Sequence, residues 1–153
     1  MNTILTIYDL VRDHPFFKDL SNEQVEFVSG CGQNKHFKPG EFLGKEGDEA
    51  NHFYLIRSGS VAVQIQHPMK GPVMIGTLSE GDIGGFSWIF PPYRMQFDLK
   101  ALTHASVIDM DGKCLRDKCF ADNHLGFILM QESAKVMEKR LRDTRIQLLD
   151  VYN

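Results

Sequence analysis

The sequence has no large net charge, no long apolar run and only a few cysteines, which are odd in number. Its 17 basic and 20 acidic residues leave a net charge of −3, so the chain has no electrostatic footprint for nucleic acid. No apolar run approaches the length that spans a membrane, and Asp9 and Arg12 interrupt the apolar start of the chain, so no cleavable signal is expected. Three cysteines are an odd and sparse set, which favours a reducing, cytoplasmic compartment over secretion.

Motifs for metal binding and for catalysis are also missing. A roll-shaped metal enzyme of the cupin type needs closely spaced histidines, and no His-x-His pair occurs. Cys114 and Cys119 have no second pair of ligands near them, and we interpret Cys114 as a packing residue. No nucleophile elbow, phosphate-binding Walker loop or His-Glu-x-x-His motif is present. We therefore expect neither catalysis nor a bound metal.

Short β-rich runs and turn signals fill the middle of the chain. The turn signals recur at intervals of roughly ten residues, at Pro39-Gly40, Gly47-Asp48, Ser58-Gly59 and Gly71-Pro72. Apolar and more polar side chains alternate through residues 61–66, which is typical of a half-buried strand. Further strands are predicted at 73–78, 97–103 and 105–110. This spacing favours an antiparallel roll or barrel.

The start of the chain has two helical patterns. Apolar residues at helical spacing predict a helix over residues 3–11, which ends before His14-Pro15. A second helix begins at Ser21, whose hydroxyl can cap it while Gln24 reaches back, and it ends near Gly30.

The end of the chain carries a short helix and a long one. The short helix is predicted at 111–119, and the long one at 122–151, where only Gly126 interrupts a strong pattern. Apolar residues and one threonine follow a heptad spacing there, at Phe127, Met130, Ala134, Met137, Leu141, Thr144, Leu148 and Val151. This seam fits either a helix packed on its own domain or a parallel two-helix dimer, and we favour the dimer.

The most informative stretch is the glycine-rich block at residues 81–94. Paired glycines, Gly84 and Gly85, follow a predicted strand, and a very short helix comes next before Pro91-Pro92 stops it. Bare N–H groups at such a junction attract anions, and Arg94 could grip phosphate oxygens. We interpret the block as a candidate phosphate pocket, with a simple turn as the alternative.

Six segments of the chain resemble the cyclic nucleotide-binding domain of the catabolite activator protein and of cyclic-AMP-dependent kinase regulatory subunits. They are His14-Pro15-Phe16-Phe17, Lys38-Pro39-Gly40, Glu46-Gly47-Asp48, Phe53-Tyr54-Leu55-Ile56, Ser58-Gly59-Ser60-Val61 and Gly81-Asp82. The loop Trp88-Ile89-Phe90-Pro91-Pro92-Tyr93-Arg94 is similar to that of stand-alone bacterial members. The resemblance covers residues 12–150. It implies a mainly β fold with flanking α: an antiparallel β-roll over 34–110, N-terminal helices over 1–33, and a short plus a long dimerisation helix over 111–153.

The resemblance also implies where a ligand would bind. The set of candidate binding residues is Gly84, Gly85, Phe86, Ser87, Trp88, Arg94, Gln96, Thr144 and Arg145. Family members that bind cyclic AMP have a ribose-binding glutamate where this chain has Gly85. They have a phosphate-binding arginine where it has Met95, and a small hydroxyl residue at Gln96.

Thr144 has one interpretation from the resemblance, and Arg145 and Trp88 keep alternatives. Thr144 falls on the family's adenine-contacting threonine. Arg145 replaces a serine and could stack on a base, bind a second phosphate or pair with a neighbouring acid. Trp88 could be a lid, a stacking platform or a roof on the core.

The expected function is that of a non-enzymatic regulatory domain. Its ligand would be a cyclic nucleotide (cyclic AMP or cyclic GMP) or another phosphate-bearing anion, sensed in the cytoplasm and signalled through the C-terminal helix to a protein partner. No helix-turn-helix follows the long helix and no basic cluster replaces one, so direct DNA binding is not expected. The alternative is a ligand-free roll that serves as a scaffold for a protein partner.

Overall fold

The computed structural model describes residues 5–152, which form four α-helices and eight strands. The helices are α1 (Ile7–Asp13), α2 (Asn22–Ser29), α3 (Gly112–Ala121) and α4 (Asn123–Val151), with 3₁₀ turns at Pro15–Phe17 and Phe86–Trp88. Helix α1 begins later than predicted because the Thr6 hydroxyl accepts a hydrogen bond from the Asp9 N–H and caps it there. Positions 3 and 4 of the predicted helix lie outside the described residues.

The strands form two antiparallel sheets that face each other as a roll. They are β1 (Gly32–Phe37), β2 (Phe42–Gly44), β3 (His52–Ser58), β4 (Val61–His67), β5 (Gly71–Leu78), β6 (Ile83–Gly84), β7 (Asp98–Ala101) and β8 (Ala105–Asp111). One sheet has the order β1-β8-β3-β6 and the other β2-β7-β4-β5. The predicted β-roll with flanking helices is confirmed.

Two clusters of buried side chains hold the fold together. One lies between the sheets and contains Tyr54, Leu78 and Leu99. The other lies between the sheet of β3 and the helices, where Phe53 and Trp88 meet side chains of α1, α3 and α4. Helix α4 is therefore anchored to the roll by its first half.

A disulfide bond joins Cys31, just before β1, to Cys114 in α3, with 5.6 Å between the two Cα atoms. The interpretation of Cys114 as a packing residue was therefore wrong. The two cysteines are 83 positions apart and meet only because α3 folds back against the start of β1. Cys119 is the remaining cysteine and is not bonded.

Helix α4 has an inward face and an exposed one. Leu125 and Leu129 are fully buried, whereas Phe127, Leu141 and Leu148 are more than half exposed. The heptad seam therefore remains largely uncovered on the single chain. No helix in the described part of the chain is both long and apolar enough to cross a membrane.

Candidate functional site

A cavity of about 480 Å³ lies between the open end of the β4–β5 hairpin, the glycine block and the second half of α4. That volume is within the usual range for a small-molecule site. Seventeen residues line it: Val63, Ile75, Gly76, Thr77, Leu78, Gly84, Gly85, Phe86, Ser87, Met95, Gln96, Phe97, Leu99, Arg140, Asp143, Thr144 and Gln147. Six of the nine candidate binding residues are thus brought together; Trp88, Arg94 and Arg145 are not among the lining residues.

The paired glycines leave little room for side chains, and the limit is strictest at Gly85, where the close atom belongs to the backbone. A β-carbon on Gly84 would come 2.8 Å from Leu78 Cδ1, and one on Gly85 would come 2.9 Å from the His52 carbonyl oxygen. Gly85 also has a φ of +85°, in the left-handed region that glycine alone adopts without strain. A glutamate at this position would therefore require a change of the backbone, not only of the side chain.

The turn that follows is too short to act as an anion site by its dipole. It is a single 3₁₀ turn, Phe86–Trp88, and no side chain caps it. A helix macrodipole builds up over several aligned peptide units, so one turn contributes little. What the turn supplies is the Phe86 ring and the Ser87 side chain, both of which line the cavity.

The basic side chain that lines the cavity comes from α4. Arg140 donates a hydrogen bond from Nη2 to the Ile83 carbonyl oxygen, and its Cζ lies 5.3 Å from the centre of the Phe86 ring. Its half-buried position lowers the pKa of its guanidinium, while the more distant Asp82 raises it. Arg140 therefore joins the glycine block to the C-terminal helix.

Acidic and neutral polar groups on α4 complete that wall. Asp143 Oδ2 lies 3.7 Å from Lys139 Nζ, so this carboxylate pairs with Lys139 and not with Arg140. The Thr144 hydroxyl donates to the Arg140 carbonyl oxygen at 2.8 Å and keeps its lone pairs for a donor. Gln147 follows one turn later. The helix thus offers a cation, an anion and neutral hydrogen-bonding groups to one cavity.

The position where the family's phosphate arginine would fall is apolar. The Met95 side chain is buried and packs over Gly44, where an added β-carbon would collide with the Met95 sulfur. Gln96 lines the cavity and is exposed, and its amide donates to the Arg94 carbonyl oxygen at 3.3 Å. No guanidinium stands at this wall to hold a phosphate.

The remaining three candidates lie elsewhere. The Arg94 side chain is half exposed, and its Nη1 is 4.0 Å from Glu49 Oε1 on the neighbouring loop. Trp88 is 1% exposed and packs on Phe53, which makes it part of the core. Arg145 is exposed on α4. The Pro91-Pro92 insertion therefore does not bring Arg94 to the cavity.

Arg140 is the residue that sequence reasoning missed, because a charged side chain among Glu138, Lys139 and Asp143 is typical of a solvated helix face. Its position continues the inward row of Leu125, Leu129, Glu132 and Val136 at spacings of three to four residues. That row indicates that Arg140 points towards the roll. The hairpin residues Val63, Ile75 and Thr77 were missed because nothing in the sequence shows how far the β4–β5 hairpin leans over the cavity.

The roll and its cavity define a ligand-binding domain, and comparisons identify the family. The model of the family described as "Cyclic nucleotide-binding domain" matches residues 34–122, more than half of the chain. The chain belongs to the cyclic nucleotide-binding domain family. Its fold is that of a regulatory domain of this family.

Similar structures and relatives agree with this assignment. A candidate cyclic nucleotide-binding protein of Geobacter metallireducens GS-15 is 25% identical, with a TM-score of 0.80 over 90% of this chain and 99% of that one. A cyclic nucleotide-binding domain from Methylobacillus flagellatus KT shares the fold at 22% identity, with a TM-score of 0.78 over 94% of this chain and 80% of that one.

A cGMP-dependent protein kinase of Drosophila melanogaster is 28% identical over 78 residues, which are 50% of this chain and 8% of the kinase. The chain thus matches less than a tenth of that relative's length, and the likeness concerns this domain alone.

Proposed function

We propose that the protein is a non-enzymatic regulatory domain that binds a small anion, of the cyclic-nucleotide type or smaller, in the α4 cavity. The observation that carries the proposal is Arg140. Its guanidinium is half-buried, lines the cavity and has no carboxylate within 4.0 Å in the part of the chain that the structure describes. A half-buried cation with no carboxylate in direct contact favours an anionic ligand.

The same residue supports a route for signalling. Arg140 bonds the Ile83 carbonyl on the roll and lies on the helix that continues to Val151. A ligand that engages Arg140 and Thr144 would favour one position of α4 over another, by as much as its affinities for the two positions differ. We propose that a protein partner detects this change at the exposed half of α4.

The test is a thermal-shift panel on three proteins: the parent, Arg140→Gln and Arg142→Gln. Arg142 is an exposed arginine on the same helix that does not line the cavity, so it controls for the lost charge. The panel holds cyclic AMP, cyclic GMP, inorganic phosphate and small carboxylates. At least one anion should raise the melting temperature of the parent and of Arg142→Gln but not of Arg140→Gln. No shift in the parent, or equal shifts in all three, would contradict the proposal.

Cyclic AMP itself should bind weakly. Hydrogen bonds to charged groups contribute about 1.5–3 kcal/mol each, and the usual glutamate and arginine are replaced by Gly85 and Met95. We therefore expect a Kd in the micromolar range or weaker. Calorimetry on nucleotide-free protein measures it, and a nanomolar Kd would contradict this expectation.

Homodimerisation through α4 is also part of the proposal, and so is a cytoplasmic location without DNA or membrane binding. The exposed seam residues Phe127, Leu141 and Leu148 support the dimer. The small number of cysteines is typical of a reducing compartment, whereas the Cys31–Cys114 bond is typical of an oxidising one. Because Cys31 and Cys114 are bonded, thiol labelling of the protein in intact cells tests the compartment: a fully reduced pair indicates a reducing environment.

A ligand-free scaffold remains the second candidate function. It is favoured by the apolar wall at Met95 and by the exposed apolar end of α4, with Leu148, Leu149 and Val151. A protein that binds no member of the anion panel but captures a partner through these residues would support it.

A further inference from the structure

The cavity combines charged and apolar lining residues. Arg140 and Asp143, the charged residues that line it, are both on α4. The roll contributes three buried apolar side chains, Leu78, Met95 and Leu99. It also contributes hydrogen-bonding side chains at Thr77, Ser87 and Gln96. A ligand that reaches from Arg140 to the three apolar side chains must therefore be polar at one end and apolar at the other.

The apolar side occupies the place where the cyclic phosphate and ribose of a nucleotide would be expected. Gly84 and Gly85 offer no side-chain acceptor, and Leu78 and Leu99 lie close to Gly84, so the Ser87 hydroxyl is the hydrogen-bonding side chain that this turn offers. Each ribose hydroxyl or phosphate oxygen left unpaired there would cost roughly ten- to hundredfold in affinity. A hydrocarbon group of a ligand placed on the same wall leaves no polar atom unpaired, and its removal from water favours binding.

The charged residues of the cavity can pair with one planar anionic group of the ligand. The guanidinium of Arg140 is a flat fork that pairs best with a carboxylate through two parallel hydrogen bonds. Asp143 lines the same cavity, so each further negative charge on the ligand adds repulsion from this carboxylate. These two features favour a carboxylate over a phosphate monoester.

We propose that the ligand is an amphipathic monocarboxylate, an aromatic or aliphatic acid whose carboxylate pairs with Arg140 and whose body lies on Leu78, Met95 and Leu99. This inference rests on the proposed function, because it names the class of anion that the α4 cavity senses. It changes the expected ligand from a nucleotide to a small organic acid.

Titration calorimetry on the full chain tests both halves of the ligand. The probes are 3-phenylpropionate, acetate (the charge without the body), 3-phenyl-1-propanol (the body without the charge) and cyclic AMP. We expect 3-phenylpropionate to bind at least tenfold more tightly than the other three. In the series butanoate, hexanoate, octanoate, the affinity should rise about fourfold for each added methylene group until the cavity is full.

Two variants locate the binding. Arg140→Gln should weaken 3-phenylpropionate roughly ten- to hundredfold and leave 3-phenyl-1-propanol unchanged, while Arg142→Gln should change neither. Met95→Gln, of similar length, should weaken 3-phenylpropionate and flatten the chain-length series. The series on the parent needs no variant, so it decides the question even if Met95→Gln does not fold.

The outcomes separate the two proposals. Cyclic AMP binding more tightly than 3-phenylpropionate, with loss in Arg140→Gln, would overturn the organic-acid inference and leave the anion-binding function standing. Acetate binding as tightly as 3-phenylpropionate would do the same. If neither the carboxylates nor cyclic AMP nor phosphate bind the parent, both proposals fail. Carboxylate binding that is unaffected by Arg140→Gln places the site elsewhere and overturns the inference.

Discussion

Gly85 shows how a single residue can decide which ligands a fold accepts. Its positive φ and the 2.9 Å separation between an added β-carbon and the His52 carbonyl oxygen exclude any side chain at this position in the present backbone. Restoring the family's acidic residue as Gly85→Glu should therefore lower stability without producing nanomolar cyclic AMP binding.

Two glycine substitutions should lower the free energy of unfolding by unequal amounts. Gly47 has a φ of +90° with nothing within 4 Å of the added carbon, so Gly47→Ala carries only the conformational cost, about 1–2 kcal/mol. Gly85→Ala carries that cost and the clash, about 3 kcal/mol or more in total. Urea unfolding measures both. Equal losses of free energy of unfolding would show that the glycine block relaxes around a side chain.

His14 makes stability depend on pH. Its imidazole is buried, and burial lowers its pKa from 6.5 to about 4. Between these values the unfolded chain binds more protons at this position than the folded chain, so stability falls as the pH falls from 6.5 towards 4. The full effect is roughly 3 kcal/mol at the acid end.

His14→Asn isolates this effect, because asparagine can replace the Nδ1 atom that accepts from the Phe16 N–H at 3.2 Å. The hydrogen bond with Asp109 raises the pKa of His52, which therefore stabilises the fold on acidification and opposes His14. Both proteins contain His52, so the difference between their stability–pH profiles reports His14 alone. Parallel profiles would contradict the prediction.

At the scale of elements, the Cys31–Cys114 bond ties α3 to the start of β1 across 83 positions. Closing so long a loop in the unfolded chain corresponds to about 2–4 kcal/mol of stability. Cys31→Ser and Cys114→Ser should each lose that amount, and a reductant should lower the melting temperature of the parent but not of either variant.

Cys119→Ser is the control for the disulfide prediction, because Cys119 is unbonded and burial raises the pKa of its thiol to about 11. The melting temperature of Cys119→Ser should still fall when reductant is added, as in the parent protein. A parent protein whose melting temperature is unchanged by reductant, together with three titratable thiols, would show that the bond does not form.

Local signals predicted the elements better than the contacts between them. The capping box at Ser21 and Gln24 and the turn glycines involve neighbours in sequence, so the sequence alone places them correctly. The Cys31–Cys114 pair, the inward direction of Arg140 and the distance of Arg94 from the cavity all depend on how distant elements pack. The helical spacing between Val136 and Arg140 indicates that Arg140 points inwards, but this follows only when the buried face of α4 is known.

At the scale of the whole molecule, α4 is the element shared by the cavity and the exposed seam. Arg140, Asp143 and the seam residue Thr144 line the cavity, whereas the seam residues Phe127 and Leu141 are more than half exposed. A ligand that holds the cavity-lining side of α4 against the roll also holds the seam at one orientation relative to the roll. Ligand binding and dimerisation should therefore be coupled, each changing the affinity of the other by the same factor.

The seam itself can be tested with a charge placed at its centre. Leu141 is 51% exposed in the single chain, so Leu141→Glu should leave the fold intact. In a two-helix dimer the same glutamate would face its copy in an apolar interface, where unpaired charges are costly. We expect the parent to sediment as a dimer at tens of micromolar and Leu141→Glu to sediment as a monomer with unchanged circular dichroism.

Ile146→Glu is the matched control, because Ile146 is an exposed apolar residue of α4 that lies outside the heptad positions. It introduces the same charge on the same helix, and if the seam alone holds the dimer it should remain dimeric. Dissociation by both variants would mean that the helix associates through a broader surface than the heptad seam. A parent that is already monomeric would refute the α4 dimer, and the exposed apolar residues would then be the docking surface for the protein partner.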